Sequence, residues 1–194
     1  MNYGPSPVVP QQALAELVTN PLYDYAALAT GFSSALFFVG ANANNLAKSN
    51  VPLNGQLANP KFARVGGCRI VFDQQVAGAA VNTNYLDLAK ILYGCYLQLV
   101  IGGLKEYITT PGFFFPAGVG LQLMSDTATA VATNGAVNNG MPLFGSSFRL
   151  RHIISLPPMQ QFGVRLVAGT GTITLTTTQN AWVVLDSELG REVL

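Results

Sequence analysis

The sequence predicts an all-β fold: a single jelly-roll-like β-sandwich of about eight to nine strands, with one or two short helices and an extended N-terminal arm. Three observations carry this reading. Cys95, Leu97, Leu99 and Ile101 alternate with Tyr96, Gln98 and Val100, the period of two that marks a strand. Gly102-Gly103 follows at once, supplying the positive φ angles of a two-residue hairpin turn, and residues 104–109 read as the returning strand. Short β-type runs then recur between turn signals to the end of the chain. No tandem repeat is visible, which argues against a propeller or a solenoid.

Taken in order, residues 1–10 carry three prolines and a glycine and read as an extended arm. Residues 11–19 place Leu14, Leu17 and Val18 on one side of a short helix, which Asn20-Pro21 would stop. The arm and helix (1–20) either grip neighbouring subunits or cover an open end of the sandwich, whose domain is 21–194. Residues 34–39 form a strand, and residues 40–60, rich in Asn, Gly and Pro, form a long loop with a short strand near 51–57. Residues 62–72 are a strand in which Gly66-Gly67 suggests a bulge. Residues 74–83 form a small-residue loop, and Tyr85, Leu88, Ile91 and Leu92 then fall at helical spacing over 84–93.

After the central hairpin, Pro111-Gly112 breaks the strand and Phe113-Phe114-Phe115 carries an aromatic block into a second turn. Residues 125–140 are a low-complexity run of Ala, Thr, Val, Asn and Gly, an exposed loop or a weak hairpin. Strands follow at 148–155 and 161–167, separated by Pro157-Pro158. Strict alternation of Thr with Ile173 and Leu175 predicts another strand over 172–178. Residues 181–185 supply the next, residues 186–190 a turn, and residues 191–194 a terminal strand or tail.

Half of the residues are apolar and only 10% are charged, against roughly a quarter in an average soluble protein. A monomer needs charge to keep its surface soluble, so this composition points to a surface largely covered by other subunits. Ten Lys and Arg without a cluster argue against nucleic acid as a specific partner. Cys68 and Cys95 have neither metal-site spacing nor a neighbouring His; two buried thiols are expected, with one disulfide as the alternative. The first residues lack a basic region followed by an apolar run, so no secretory signal is expected. The most apolar window, 26–43, is interrupted by Thr30, Gly31, Ser33, Ser34, Gly40 and Asn42 and predicts no transmembrane segment.

Chemistry finds little purchase. His152 is the single histidine, flanked by Arg151 and Ile153 in a strand pattern with no G-x-S-x-G motif, so a structural or solvent-facing role is expected. Asp24, Asp73, Asp87, Asp126, Asp186 and Glu188 are scattered singly, and nothing selects two of them as the carboxylate pair of a hydrolase. Gly118-Val119-Gly120 follows an aromatic run and opens no helix, which is not the setting of a phosphate-binding loop. The expectation is therefore no enzyme, no catalytic residue, no metal and no cofactor. Phe113 to Phe115, with Tyr3, Tyr23, Tyr25 and Trp182, would suit a sugar-binding surface only if exposed rings had polar neighbours. A run of three Phe reads instead as core on one face and subunit contact on the other.

Two stretches carry a family resemblance: LQLVIGGLKEYITTPGFFFPAGVGL over 97–121, and LRHIISLPPMQQFGVRLVAGTG with AWVVLDSELGREVL from 150 to the end. A K-x-Y return strand, a Pro-bounded aromatic turn with PAG-x-G, an I-x-L-P-P strand pair and a closing V-x-L-D resemble the small β-jelly-roll structural proteins of bacteriophage virions. The resemblance covers roughly the C-terminal half. It implies location in the virion and a capsid role, as shell subunit or as cement (decoration) protein. The partners implied are copies of this chain, as a trimer or larger, and other capsid proteins. The expected contact positions are Tyr3, Pro5, Val8, Phe113, Phe114, Arg191 and Leu194. The alternative is a carbohydrate- or receptor-binding module on a virion or fibre.

Overall fold

Two antiparallel sheets face each other in a computed structural model that describes residues 14–42, 45–73, 75–76, 81–103, 105–117, 122–125, 135–138 and 148–193. The strands are β1 (Leu14–Thr19), β2 (Leu22–Leu28), β3 (Ser34–Phe37), β4 (Lys61–Phe72), β5 (Gln75–Val76), β6 (Cys95–Ile101), β7 (Lys105–Pro111), β8 (Gln122–Ser125), β9 (Gly135–Asn138), β10 (Phe148–Leu156), β11 (Phe162–Ala168) and β12 (Gln179–Val193). One α-helix, α1 (Val81–Gly94), precedes β6, and a 3-10 turn (Gly112–Phe114) follows β7.

The first sheet runs β1-β12-β4-β10, with β2 also paired to β12; the second runs β3-β11-β6-β7. If β2, β3, β4, β6, β7, β10, β11 and β12 are lettered B to I, the sheets read B-I-D-G and C-H-E-F. That is the strand order of the jelly roll, two interleaved Greek keys. A small third sheet, β5-β9-β8, lies against α1. The chain is thus an all-β sandwich, as the alternating runs predict.

Alternation buries one side of each strand between the sheets. Val65, Ile70, Val183 and Leu185 from one sheet meet Leu97, Leu99, Val164 and Leu166 from the other, all at 0% exposure. Each such side chain contributes about 1.5–3 kcal/mol on leaving water. Helix α1 closes one end because Leu88, Ile91 and Leu92 fall at i, i+3 and i+4 and point inward together. Gly94 ends it against the 3-10 turn and the residue 173 segment: a Cβ there would lie 2.8 Å from Ile173 Cδ1.

Three readings need correction. Residues 14–19 are strand β1, not helix: Leu14 pairs with Val193 and Thr19 with Glu188 along β12, and this ladder outweighs local helical spacing. Residues 186–190 are not a turn, and residues 191–193 take the strand alternative. β12 runs unbroken, and opposite its polar Asp186-Ser187 step Gly66 is the extra residue of a bulge in β4. Residues 172–178 lie outside the strands; Ile173 and Leu175 point inward as their alternation suggests, but the backbone forms an isolated bridge from Ile173 to Phe32 in place of a ladder. The two facing sheets hold nine strands, in line with the eight to nine expected of the sandwich, and β5, β8 and β9 make up the small third sheet. Of the stretch read as an exposed loop or a weak hairpin, residues 126–134 and 139–140 lie outside the described residues; Gln122 to Ser125 pair antiparallel with Asn138 to Gly135.

The register of β1 continues into β2 without a slip, from Leu14↔Val193 to Leu28↔Gln179, and Asn20-Pro21 alone interrupts the two. The two strands are therefore one ribbon along β12. Asn20 N donates to Ser187 O (3.1 Å) and Ser187 Oγ donates to Asn20 O (2.9 Å), carrying the ladder across the gap.

Candidate functional site

The aromatic block after the central hairpin divides as its sequence suggests. Pro111 ends β7, and the 3-10 turn brings the chain back against α1. Gly112 allows this approach, since a Cβ there would sit 3.0 Å from Leu92 O and 3.3 Å from Cys95 O. Phe115 is fully buried, edge-on to Phe148 at 4.9 Å, and its carbonyl accepts a hydrogen bond from Ile70 N (3.1 Å). Anchored in this way, the turn holds Phe113 and Phe114 outward at 45% and 48% exposure.

A third ring joins them. Tyr93, at the last turn of α1, stacks on Phe113 with centroids 5.6 Å apart, and Phe113 packs on Phe114 at 4.7 Å. Tyr93 is 72% exposed, and Leu86, two turns earlier on the helix, is exposed too. The sequence reading missed Tyr93 because it sought only the buried face of the helix. Its position directly after Ile91-Leu92, and so off that face, was the available signal.

The other predicted aromatics hold a loop in place. Tyr25 and Trp182 pack at 5.0 Å on the outer side of β2 and β12. Lys48 lies over the Tyr25 ring at 4.5 Å, Tyr23 Oη donates to Leu46 O, and Trp182 Nε1 donates to Ala47 O (3.4 Å). Residues 45–50 thus lie across these rings. Tyr3, Pro5, Val8 and Leu194 lie outside the described residues. Arg191 is exposed and donates to Glu16 Oε2 (2.9 Å), tying the end of β12 to β1.

On the outer face of the first sheet a cavity of about 530 Å³ opens beside the bulge. Its walls include Thr19, Pro21, Arg149 and Ile153, where β10 leaves its register with β4 between Arg149 and Ile154. Arg69 Nη2 meets Asp186 Oδ1 at 2.6 Å, and Arg64 meets Glu188 at 3.6 Å, so these charges are spent on one another. The closer pair is joined by a single bond, which leaves Arg69 Nε and Asp186 Oδ2 buried without a hydrogen-bond partner. Gly67 keeps the wall thin; a Cβ would meet Phe148 O at 2.9 Å.

The carboxylates do structural work. Asp24, 1% exposed, accepts from the Phe38 amide and from Asn42 Nδ2 (3.0 Å), holding Phe38 at a φ of +64°. Asp87, fully buried, accepts from the Thr176 and Thr177 amides at 2.8 and 3.0 Å and from Lys90 Nζ at 3.1 Å. Burial works to raise its pKa. The Thr177 amide, the Lys90 ammonium and the Thr176 amide outweigh that and hold it below its ordinary value. His152 is exposed on β10. Among the described residues no three His, Cys, Asp or Glu side chains gather as a metal site.

Cys68 and Cys95 are buried, free thiols on opposite sheets. Burial pushes both up, Cys95 to about 11 and Cys68 further, with the Asp186 charge adding to the Cys68 shift. Neither is poised as a nucleophile at neutral pH. No described helix is long and apolar enough to cross a membrane. No protein-family model and no curated protein sequence matches the chain.

Proposed function

We propose that this chain is a non-enzymatic structural subunit of a bacteriophage capsid, a shell or cement protein that packs against copies of itself and other capsid proteins. The observation that carries the reading is the exposed Tyr93–Phe113–Phe114 stack on a chain with only ten basic and nine acidic residues. Such rings contribute most when desolvated at the centre of a protein interface. Covering what these three expose, roughly 300 Å² of aromatic surface, is worth about 7 kcal/mol gross. Association costs about 4–15 kcal/mol in lost freedom, so the stack needs further contacts beside it.

The jelly roll is compatible with this role but does not select it, since lectins and cupins share the architecture. The resemblance of residues 97–121 and 150–194 to phage jelly-roll proteins leans toward the capsid. The carbohydrate-binding alternative gains nothing from Tyr25 and Trp182, whose rings are engaged by residues 45–50.

Light scattering and electron microscopy of the purified protein test the proposal. A trimer or larger assembly whose mass falls in a Tyr93→Ser/Phe113→Ser double variant is the expected result. A wild-type monomer at every concentration would overturn it.

A further inference from the structure

The long ribbon made by β1 and β2 has one edge on β12 and one edge free of any other strand among the described residues. Asn20 N points toward β12, where it meets Ser187 O. By the alternation of an antiparallel ladder, even-numbered residues of the ribbon face β12 and odd-numbered ones face outward. The outward positions are therefore 15, 17, 19, 21, 23 and 25.

The two halves of this edge are treated differently. Pro21 has no N–H to offer, and its carbonyl accepts from Asn50 Nδ2 (2.8 Å). The Tyr23 amide donates to Asn50 Oδ1 (2.9 Å) and the Tyr23 carbonyl accepts from Asn50 N (3.3 Å). The Tyr25 carbonyl accepts from Asn42 Nδ2 (2.8 Å). Two asparagines of the 38–50 loop thus take up the groups an incoming strand would use. Ala15, Leu17 and Thr19 have no such cover among the described residues. An uncovered edge of this kind is a template for another strand.

The side chains agree. Leu17 and Val18 are neighbours on opposite faces, and both are open, at 45% and 56% exposure. The strand carries a single charge, Glu16, which Arg191 already pairs at 2.9 Å.

We infer that a second copy of this chain adds its own β1 to this edge, antiparallel across a two-fold axis, with Leu17 of each copy opposite the other's. This rests on the self-associating reading above and assigns it a surface. The parity of the outward groups permits that register, which also sets Ala15 opposite Thr19 and Glu16 opposite Val18, so no like charges face each other. The occupant is a second copy rather than residues 1–13 of the same chain, because prolines at 5, 7 and 10 remove the donors a pairing strand must supply. Six residues span only about 20 Å, and such a pair falls short of the roughly 1,200 Å² of a standard interface, so this contact forms a concentration-dependent dimer or one joint of a larger assembly.

The test is Leu17→Pro in the full chain. It removes an outward N–H and leaves the β12 ladder its donors at Val18 and Asn20. Sedimentation of wild type and variant is compared across concentration, with hydrogen exchange at the Leu17 and Thr19 amides. The expected results are association weakened about tenfold or more in the variant, equal to at least 1.4 kcal/mol, and wild-type amides protected only when concentrated. Should the variant fail to fold, Leu17→Lys, a charge set on the same edge, decides in its place. An oligomeric wild type that neither substitution weakens would overturn the edge alone and leave self-association standing. Protection independent of dilution would give the edge to the chain's own N-terminal residues and overturn the proposal. A wild type that is monomeric throughout would remove both readings.

Discussion

Replacing Asp87 by Asn measures the clamp that joins α1 to the segment leading into β12. Asp87 sits on the buried side of the helix and accepts from the Thr176 amide (2.8 Å), the Thr177 amide (3.0 Å), Lys90 Nζ (3.1 Å) and Thr176 Oγ1 (3.4 Å). Hydrogen bonds to a charged group contribute about 1.5–3 kcal/mol each in favourable cases. They do not add fully, and the Lys90 bond is discounted because its ammonium is half exposed. Asn keeps one carbonyl acceptor and loses the charge, so a net loss of about 2–3 kcal/mol follows. For a chain of this size that lowers Tm by roughly 5–10 °C. The pH dependence gives a second reading. A carboxyl lowered on folding contributes stability that is complete above its unfolded value, near 3.8, and is lost as pH falls through the folded value. The difference between wild type and Asp87→Asn should therefore be constant from pH 5 to 8 and shrink below about pH 4. Chemical denaturation across that range is the assay. A Tm within about 2 °C of wild type, or a difference that does not shrink in acid, would refute the clamp.

Three further outcomes follow from local geometry. Gly55→Ala should cost about 3–5 kcal/mol in denaturant unfolding, because Gly55 has φ +57° and a Cβ would fall 2.1 Å from Phe162 O and 2.8 Å from Phe38 O; a loss under about 1 kcal/mol would contradict that packing. Both thiols should resist a thiol-reactive probe at pH 8 in the folded protein and react together after denaturation, since only about a thousandth of Cys95 is thiolate there. Tyr93→Ser should leave the unfolding midpoint within about 1 kcal/mol of wild type, being 72% exposed, while lowering the mass seen by light scattering.

What could be read from the sequence was what neighbouring residues decide together. The hairpin of β6 and β7 is local: alternation sets both strands and Gly102 and Gly103 take φ of +67° and +79° at its tip. The split of the triple Phe into one core ring and two exposed rings was legible too, because a run of three cannot all face inward. What failed depended on partners from distant parts of the chain. Residues 14–19 have helical spacing in isolation and become a strand only because the last residues of β12 arrive beside them. The Asp186-Ser187 step looks like a turn until Gly66 is seen to absorb it as a bulge. Thr172 to Thr178 alternates like a strand, yet its backbone amides at 176 and 177 are claimed by a helix carboxylate rather than by a ladder. The contrast between the covered and open halves of the β1–β2 edge was invisible for the same reason. It depends on where Asn42 and Asn50 fall after a loop whose sequence says only that it is a loop.

The positions of the two exposed features bear on what they can build. An isologous contact made across one two-fold axis closes on itself and stops at a dimer; a shell needs a second, different contact. β1 lies along the last residues of β12, from Glu188 to Val193, whereas α1 is clamped through Asp87 to Thr176 and Thr177, just ahead of its first residue, Gln179. A strand of 15 residues is roughly 45–50 Å long, so the open edge and the aromatic stack lie toward opposite ends of the sandwich. They cannot serve the same contact. Each falls short of a stable interface taken singly, the edge in area and the stack in net free energy after the cost of association. Two weak contacts at opposite ends favour assembly in which each raises the effective concentration for the other. On this argument, substituting either feature alone should abolish large assemblies while leaving the other pairwise contact measurable, and only the two substitutions together should yield a monomer at every concentration.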